Sequence, residues 1–166
     1  MAAERNVSRP ALALPWPRAT PAVERLRGHT EALAATGVAH DPALVRMELH
    51  DSAMARRATE ELLDGENPPT AVFAAHNLIT AGAVEALRAR GRQHAVALVG
   101  FDDLPLAGAV DPRLTAIARD AGSFGRAAAD ALFARLDGDD GPTRTVVVPT
   151  TLVASASGEI PPGGVR

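Results

Sequence analysis

Residues 96–117 read VALVGFDDLPLAGAVDPRLTAI. The opening run, VALVG, has no polar alternation. A strand of that kind is buried on both faces, as strands are in a parallel sheet covered by helices. It ends at two adjacent acids, Asp102 and Asp103, and a proline-broken loop leads to a second apolar run, LTAI. In open α/β sheets, ligands bind outside the carboxyl ends of the strands. A fixed carboxylate there accepts two hydrogen bonds, a match to a sugar or ribose diol. The same pair suits a metal, a catalytic base or the cap of its own turn, and its strand-end position does not choose among these.

Outward from this strand the chain alternates strand and helix. Residues 70–75, TAVFAA, form a shorter apolar strand. Asn77 is a cap for a helix whose inward face includes Ile79 or Ala83, Val84 and Leu87, and which stops at Gly91. Residues 44–49, LVRMEL, alternate like a half-exposed strand, and Ser52 caps the helix carrying Ala55, Ala58 and Leu62. Thr20 followed by Pro21 starts a helix with Val23, Leu26, Thr30 and Leu33 at helical spacing. Residues 11–14 are a short strand cut off by PWP. Towards the carboxyl end, residues 114–118 are a strand, and Phe124, Ala128, Ala131 and Leu132 mark a helix after Ser123. TVVVPTTLVAS supplies one strand, or two broken at Pro149.

This order implies βαβ units and an α/β fold, a three-layer parallel sheet with helices on both faces. It divides the chain into an irregular leader with one short strand (1–19), a folded domain (20–158) and a disordered tail (159–166).

The 166 residues carry a net charge of -3, which argues against phosphate-backbone binding by this segment alone. Cysteine is absent, so there is no disulfide framework, thiolate nucleophile or Cys-ligated metal. That fits a cytoplasmic protein. No apolar run reaches the roughly 20 residues of a membrane helix, and the prolines at 10, 15 and 17 spoil a signal-peptide core. Aromatics are only 3%, so the core is built from Ala, Val and Leu.

Other candidate site residues sit at predicted strand ends or helix starts. His76 and Asn77 follow TAVFAA and face the same crevice, or cap the next helix. Arg25, in ERLRGH, can fork onto hydroxyls or a carboxylate, or lie on a solvated face. Asp51 faces the crevice or stabilises the positive end of the following helix. Enzyme signatures are missing: no G-x-S-x-G elbow, P-loop or H-E-x-x-H occurs, and the histidines show no metal spacing. The expectation is a non-enzyme with no cofactor and no metal. A hydrolase or lyase using Asp102 or Asp103 with His76 is the remote competitor.

Several motifs in order carry a resemblance. PPTAVFAAHNLITAGAVEALRARG, VALVGFDDLPLAGAVDPRLTAI, GRAAADALFARLDG, VVVPTTLVASAS and, upstream, RLRGHTEALAATG together resemble the LacI family of bacterial transcription regulators. The resemblance covers about residues 21–157. It implies mainly the C-terminal lobe of a bilobed sensor similar to periplasmic sugar-binding proteins, with residues 20–158 a partial effector-binding and dimerisation domain. The implied effector is a sugar or nucleoside, and the alternative is an exported sugar-binding protein of a transporter. Operator DNA would be reached only through an N-terminal helix-turn-helix that this chain lacks.

By the resemblance Asp102 grips ligand hydroxyls, Arg25 also reaches the ligand, and Asp51 falls near a position often aromatic in the cleft. His76 and Asn77 stand where the family has Asn-Asp, and Ser155 stands where its closing strands carry arginine. A homodimer interface would include Leu78, Ile79, Gly82, Ala83, Leu104 and Leu106, although Gly82 and Ala83 also read as ordinary core. In the family the helix near residues 123–136 packs on the other lobe. Without that lobe it is expected to fold back, pair with another chain, or be loosely held, since a bare apolar face is unfavourable.

Overall fold

The computed structural model describes residues 9–15, 20–102 and 107–162. In chain order these form β1 (Pro10–Ala13), α1 (Thr20–Ala35), β2 (Val45–Arg46), α2 (Ser52–Asp64), β3 (Ala71–Ala74), α3 (Asn77–Ala89), β4 (Ala97–Phe101), β5 (Thr115–Arg119), α4 (Ala121–Leu136) and β6 (Thr150–Val153). They build one sheet ordered β2-β1-β3-β4-β5-β6. The first five strands are parallel, and β6 returns antiparallel to β5.

Alternation along the strands sorts the core into two layers. Ala11 and Ala13 of β1 and Val72 and Ala74 of β3 pack into a core with α2 and α3. Leu12, Leu14, Phe73 and Ala75 point to the other face, where they meet Ala22 and Leu26 of α1. The expected three layers are therefore present. The α2/α3 face is closed: a Cβ on Gly82 would lie 2.3 Å from the Ser52 carbonyl oxygen and 2.7 Å from Ala55 Cβ. The two helices touch backbone to backbone there. Ile79 and Ala83 are fully buried in the same contact. This corrects the interface reading for Ile79, Gly82 and Ala83, which face inward because α2 covers them. Leu78 is 45% exposed. Leu104 and Leu106 lie outside the described residues.

Other expectations change in detail. The strand assigned to a leader is an inner strand of the sheet, between β2 and β3, with Ala11, Leu12, Ala13 and Leu14 buried. The boundary at residue 20 thus cuts through the core. LVRMEL yields only two strand residues, because Asp41 caps a 3-10 turn over Pro42–Leu44 just before them. The helix caps fall one to three residues early: Asp51 caps α2, His76 caps α3 and Asp120 caps α4. Past β6, Ser157 is buried and a 3-10 turn runs over Ala156–Glu159. Glu159 therefore ends an ordered turn, and residues 163–166 lie outside the described residues.

Among the described residues of α4 none is buried. Phe124 is 60% exposed and Leu136 71%. The fold-back option is excluded by this arrangement.

Candidate functional site

The mouths of β3, β4 and β5 lie side by side, and each delivers a chemically useful group. β4 ends at Phe101, and Asp102 turns the chain away at φ 69°. Aspartate tolerates this left-handed conformation better than most residues. Its N–H still donates to the Ile117 carbonyl at 2.9 Å, so the turn stays tied to β5. The Asp102 side chain is only 12% exposed, and its Oδ1 accepts from Nε of Arg119, at the end of β5. A mostly buried carboxylate without a partner is costly, and Arg119 supplies the partner.

Arg25 arrives from the other side. It lies in the second turn of α1, half-buried, and Nη1 donates to the Ala75 carbonyl at the end of β3 at 2.7 Å. Its guanidinium carbon stands 3.7 Å from the centroid of the Phe101 ring. Arg119 approaches the same ring, at 5.9 Å. Burial holds the Arg25 pKa below its ordinary value, Asp102 opposes that, and the like charge of Arg119 adds to it.

The β3 tip is braced by Thr80, whose hydroxyl donates to the His76 carbonyl at 2.9 Å and accepts from Phe101 N at 3.4 Å. Gly100 permits this approach, since a Cβ there would meet Thr80 Cγ2 at 2.6 Å. The start of α3 and the end of β4 are thereby locked together. His76 and Asn77 both serve that helix start. Leu78 N donates to Asn77 Oδ1 at 2.7 Å and to His76 Nδ1 at 3.4 Å.

Arg25, His76, Asn77 and Asp102 thus gather at neighbouring strand mouths, with His76 and Asn77 holding α3 in place. Asp51 does not join them. Its Oδ1 accepts from Met54 N at 2.7 Å as the cap of α2, just after Leu49, whose N–H donates to the Leu14 carbonyl past the end of β1. Among the described residues no hydrogen bond or ion pair ties it to Arg25, Asp102 or Arg119. Of its two expected roles, the capping one is the one its hydrogen bond makes. Ser155 lies beside Thr115, at the start of β5, whereas the mouth is at Arg119. The loss of arginine at position 155 therefore does not reach the site. Arg119 escaped the sequence reading. The available signal was a cation ending the strand next to the Asp102 strand, which shows only once β4 and β5 are known to pair. Asp103 lies outside the described residues.

A cleft of about 1130 Å³ runs from Arg25 and Phe101 along α1, between that helix and the sheet. Phe73, Val99 and Ile117 form its floor, and Gly28, His29 and Ala32 part of its wall. Among the described residues α1 is the helix packed on this face of the sheet. Among the described residues there is no cluster of His, Cys, Asp or Glu able to hold a metal ion.

The mouths of a parallel sheet thus bring an aspartate and two arginines together. The model of the periplasmic binding protein-like domain matches residues 2–157. The chain belongs to that family, and corresponds to the effector-binding region of LacI-type transcription regulators. Over 140 residues it is 38% identical to the HTH-type transcriptional regulator CelR of Thermobifida fusca, covering 82% of this chain and 41% of that protein. Over 116 residues it is 31% identical to the HTH-type transcriptional repressor CytR of Escherichia coli (strain K12), covering 69% and 34%. A solved transcriptional regulator CelR-cellobiose complex superposes with a TM-score of 0.83 at 34% identity, covering 90% of this chain and 46% of that one. The chain thus spans less than half the length of these relatives. They are named as transcriptional regulators, and among the described residues no helix is long and apolar enough to cross a membrane.

Proposed function

We propose that this chain senses a small polyol, a sugar or nucleoside, at the mouths of β3, β4 and β5, and passes the bound state to a DNA-binding module outside these 166 residues. The observation that carries this is the placement of Asp102. Its carboxylate stands at a strand mouth, held by Arg119, with Arg25 on the Phe101 ring beside it. A carboxylate and a guanidinium fixed a few ångströms apart recognise vicinal hydroxyls as acceptor and donor. The relative solved with cellobiose makes that disaccharide the first candidate. In this reading ligand binding shifts a conformational equilibrium and no bond is broken, so the protein is not an enzyme. It acts in the cytoplasm as a homodimer, with exposed Leu78 at the contact. The named relatives are regulators, so an exported transporter component is not favoured.

Titration calorimetry with cellobiose, ribose, galactose and cytidine tests the reading. Saturable binding of at least one, lost in Asp102→Asn, is the expected result. No heat from any of them at millimolar concentration overturns it.

A further inference from the structure

Among the described residues, two guanidiniums and one carboxylate meet at the strand mouths. Arg25 and Arg119 both converge on the Phe101 ring, at 3.7 and 5.9 Å, and Asp102 is the carboxylate between them. Other nearby acids are spent elsewhere. Asp51 caps α2, and Asp120, next to Arg119 in sequence, accepts from Ser123 and pairs with Arg126 at 3.7 Å. Among the described residues neither guanidinium has a second carboxylate partner. Each carries five N–H donors in a planar fork. Arg25 commits one to the Ala75 carbonyl, and Arg119 commits one to Asp102. Among the described residues the rest of both forks makes no further hydrogen bond.

Building on the sensor reading above, we infer that this site takes a polyol bearing an anionic group, a sugar acid or a sugar phosphate, and that Arg119 sets the preference. Asp102 accepts from hydroxyls while the two forks receive the carboxylate or phosphate oxygens, in the geometry guanidinium favours. The anion relieves the repulsion between two like charges, one of them partly desolvated. Burial is the main cause of the lowered Arg25 pKa; Asp102 opposes it, and Arg119 adds the smallest contribution, a further lowering. A neutral sugar satisfies Asp102 and leaves the excess charge in place.

The test is calorimetry of the full 166-residue chain with two matched pairs, cellobiose against cellobionate and glucose against glucose 6-phosphate, at fixed ionic strength. The first pair isolates a carboxylate and the second a phosphate. At least one anionic member should bind about tenfold or more tighter than its neutral partner, the size of one charge-assisted hydrogen bond. Arg119→Gln should bring the two within about twofold, and Arg119→Lys should keep most of the preference. Far-UV circular dichroism confirms that both variants are folded. Neutral sugars binding as tightly as their anionic partners overturn the inference and leave the sensor reading standing. A preference for the anion that survives Arg119→Gln overturns the assignment to Arg119. Failure of every sugar to bind overturns both.

Discussion

The Arg25 guanidinium carbon lies 3.7 Å from the centroid of the Phe101 ring, so an α1 residue is seated on the last residue of β4. The contact orients the one arginine that α1 brings to the strand mouths. Phe101→Leu keeps most of the buried volume and removes the π face. In a double-mutant cycle of Phe101→Leu with Arg25→Met, chemical unfolding should give a coupling energy of about 0.5–2 kcal/mol. A coupling near zero would mean that the carbonyl bond to Ala75 alone holds Arg25.

The α2–α3 contact tolerates no side chain at Gly82. A methyl there meets the Ser52 carbonyl oxygen at 2.3 Å and Arg56 N at 2.7 Å, and backbone cannot step aside as a flexible side chain can. Gly82→Ala should cost about 1–3 kcal/mol in urea unfolding, with helix content kept in the folded state. The wild-type midpoint in the variant would show that the helices sit further apart.

Ser157 bolts the segment after β6 onto the sheet. Its hydroxyl donates to the Leu98 carbonyl at 2.6 Å and accepts from Thr115 N at 2.8 Å, at 2% exposure. Ser157→Ala leaves buried groups on β4 and β5 without a partner. It should destabilise the chain by about 1–3 kcal/mol by thermal or chemical unfolding. Ser157→Cys should recover little, since sulfur is a weak donor and acceptor.

His29, in the wall of the cleft beside α1, has a pKa below its ordinary value of 6.5, from burial first and then from the charge of His40. The folded state therefore prefers the neutral imidazole, and the unfolded chain binds the proton more readily. Above the unfolded pKa this group contributes no pH dependence. As pH falls through 6.5 towards the lower folded value, stability declines. His29→Gln removes that slope, so between about pH 7 and about pH 5 its Tm should fall less than that of the wild type. Parallel curves for the two proteins would place His29 in contact with water.

Leu132 and Phe133 of α4 are 58% and 61% exposed. Leu132→Ser and Phe133→Ser at low protein concentration should shift stability by no more than about 0.5 kcal/mol. A larger loss, together with a change in sedimentation, would show that another copy covers this helix in solution.

Much of the fold was legible before any coordinates. TAVFAA lacks polar alternation because α2 and α3 cover one face and α1 the other, whereas Val99 of VALVG faces the cleft beside α1. Helix starts were found only to within a few residues. At two of these starts neighbouring polar residues compete to cap, as Asp51 does with Ser52 and His76 with Asn77, and local chain geometry decides which one accepts. The leader strand was misread because PWP looked like a boundary. Its burial depends on β2 and β3, which join it from far along the chain.

Composition, period and the chain order of strands and helices were thus settled by the amino-acid sequence, because burial on one or both faces writes itself into local patterning. So was the delivery of Asp102 to a strand tip. The partner of that carboxylate was decided by tertiary structure. Arg119 lies 17 residues further on and reaches it only because β5 pairs with β4 in register. Tertiary structure likewise turned Gly82 and Ala83 inward. Spacing along a chain records which face a residue takes. Which other face it meets depends on contacts between distant segments, and no local pattern carries that information.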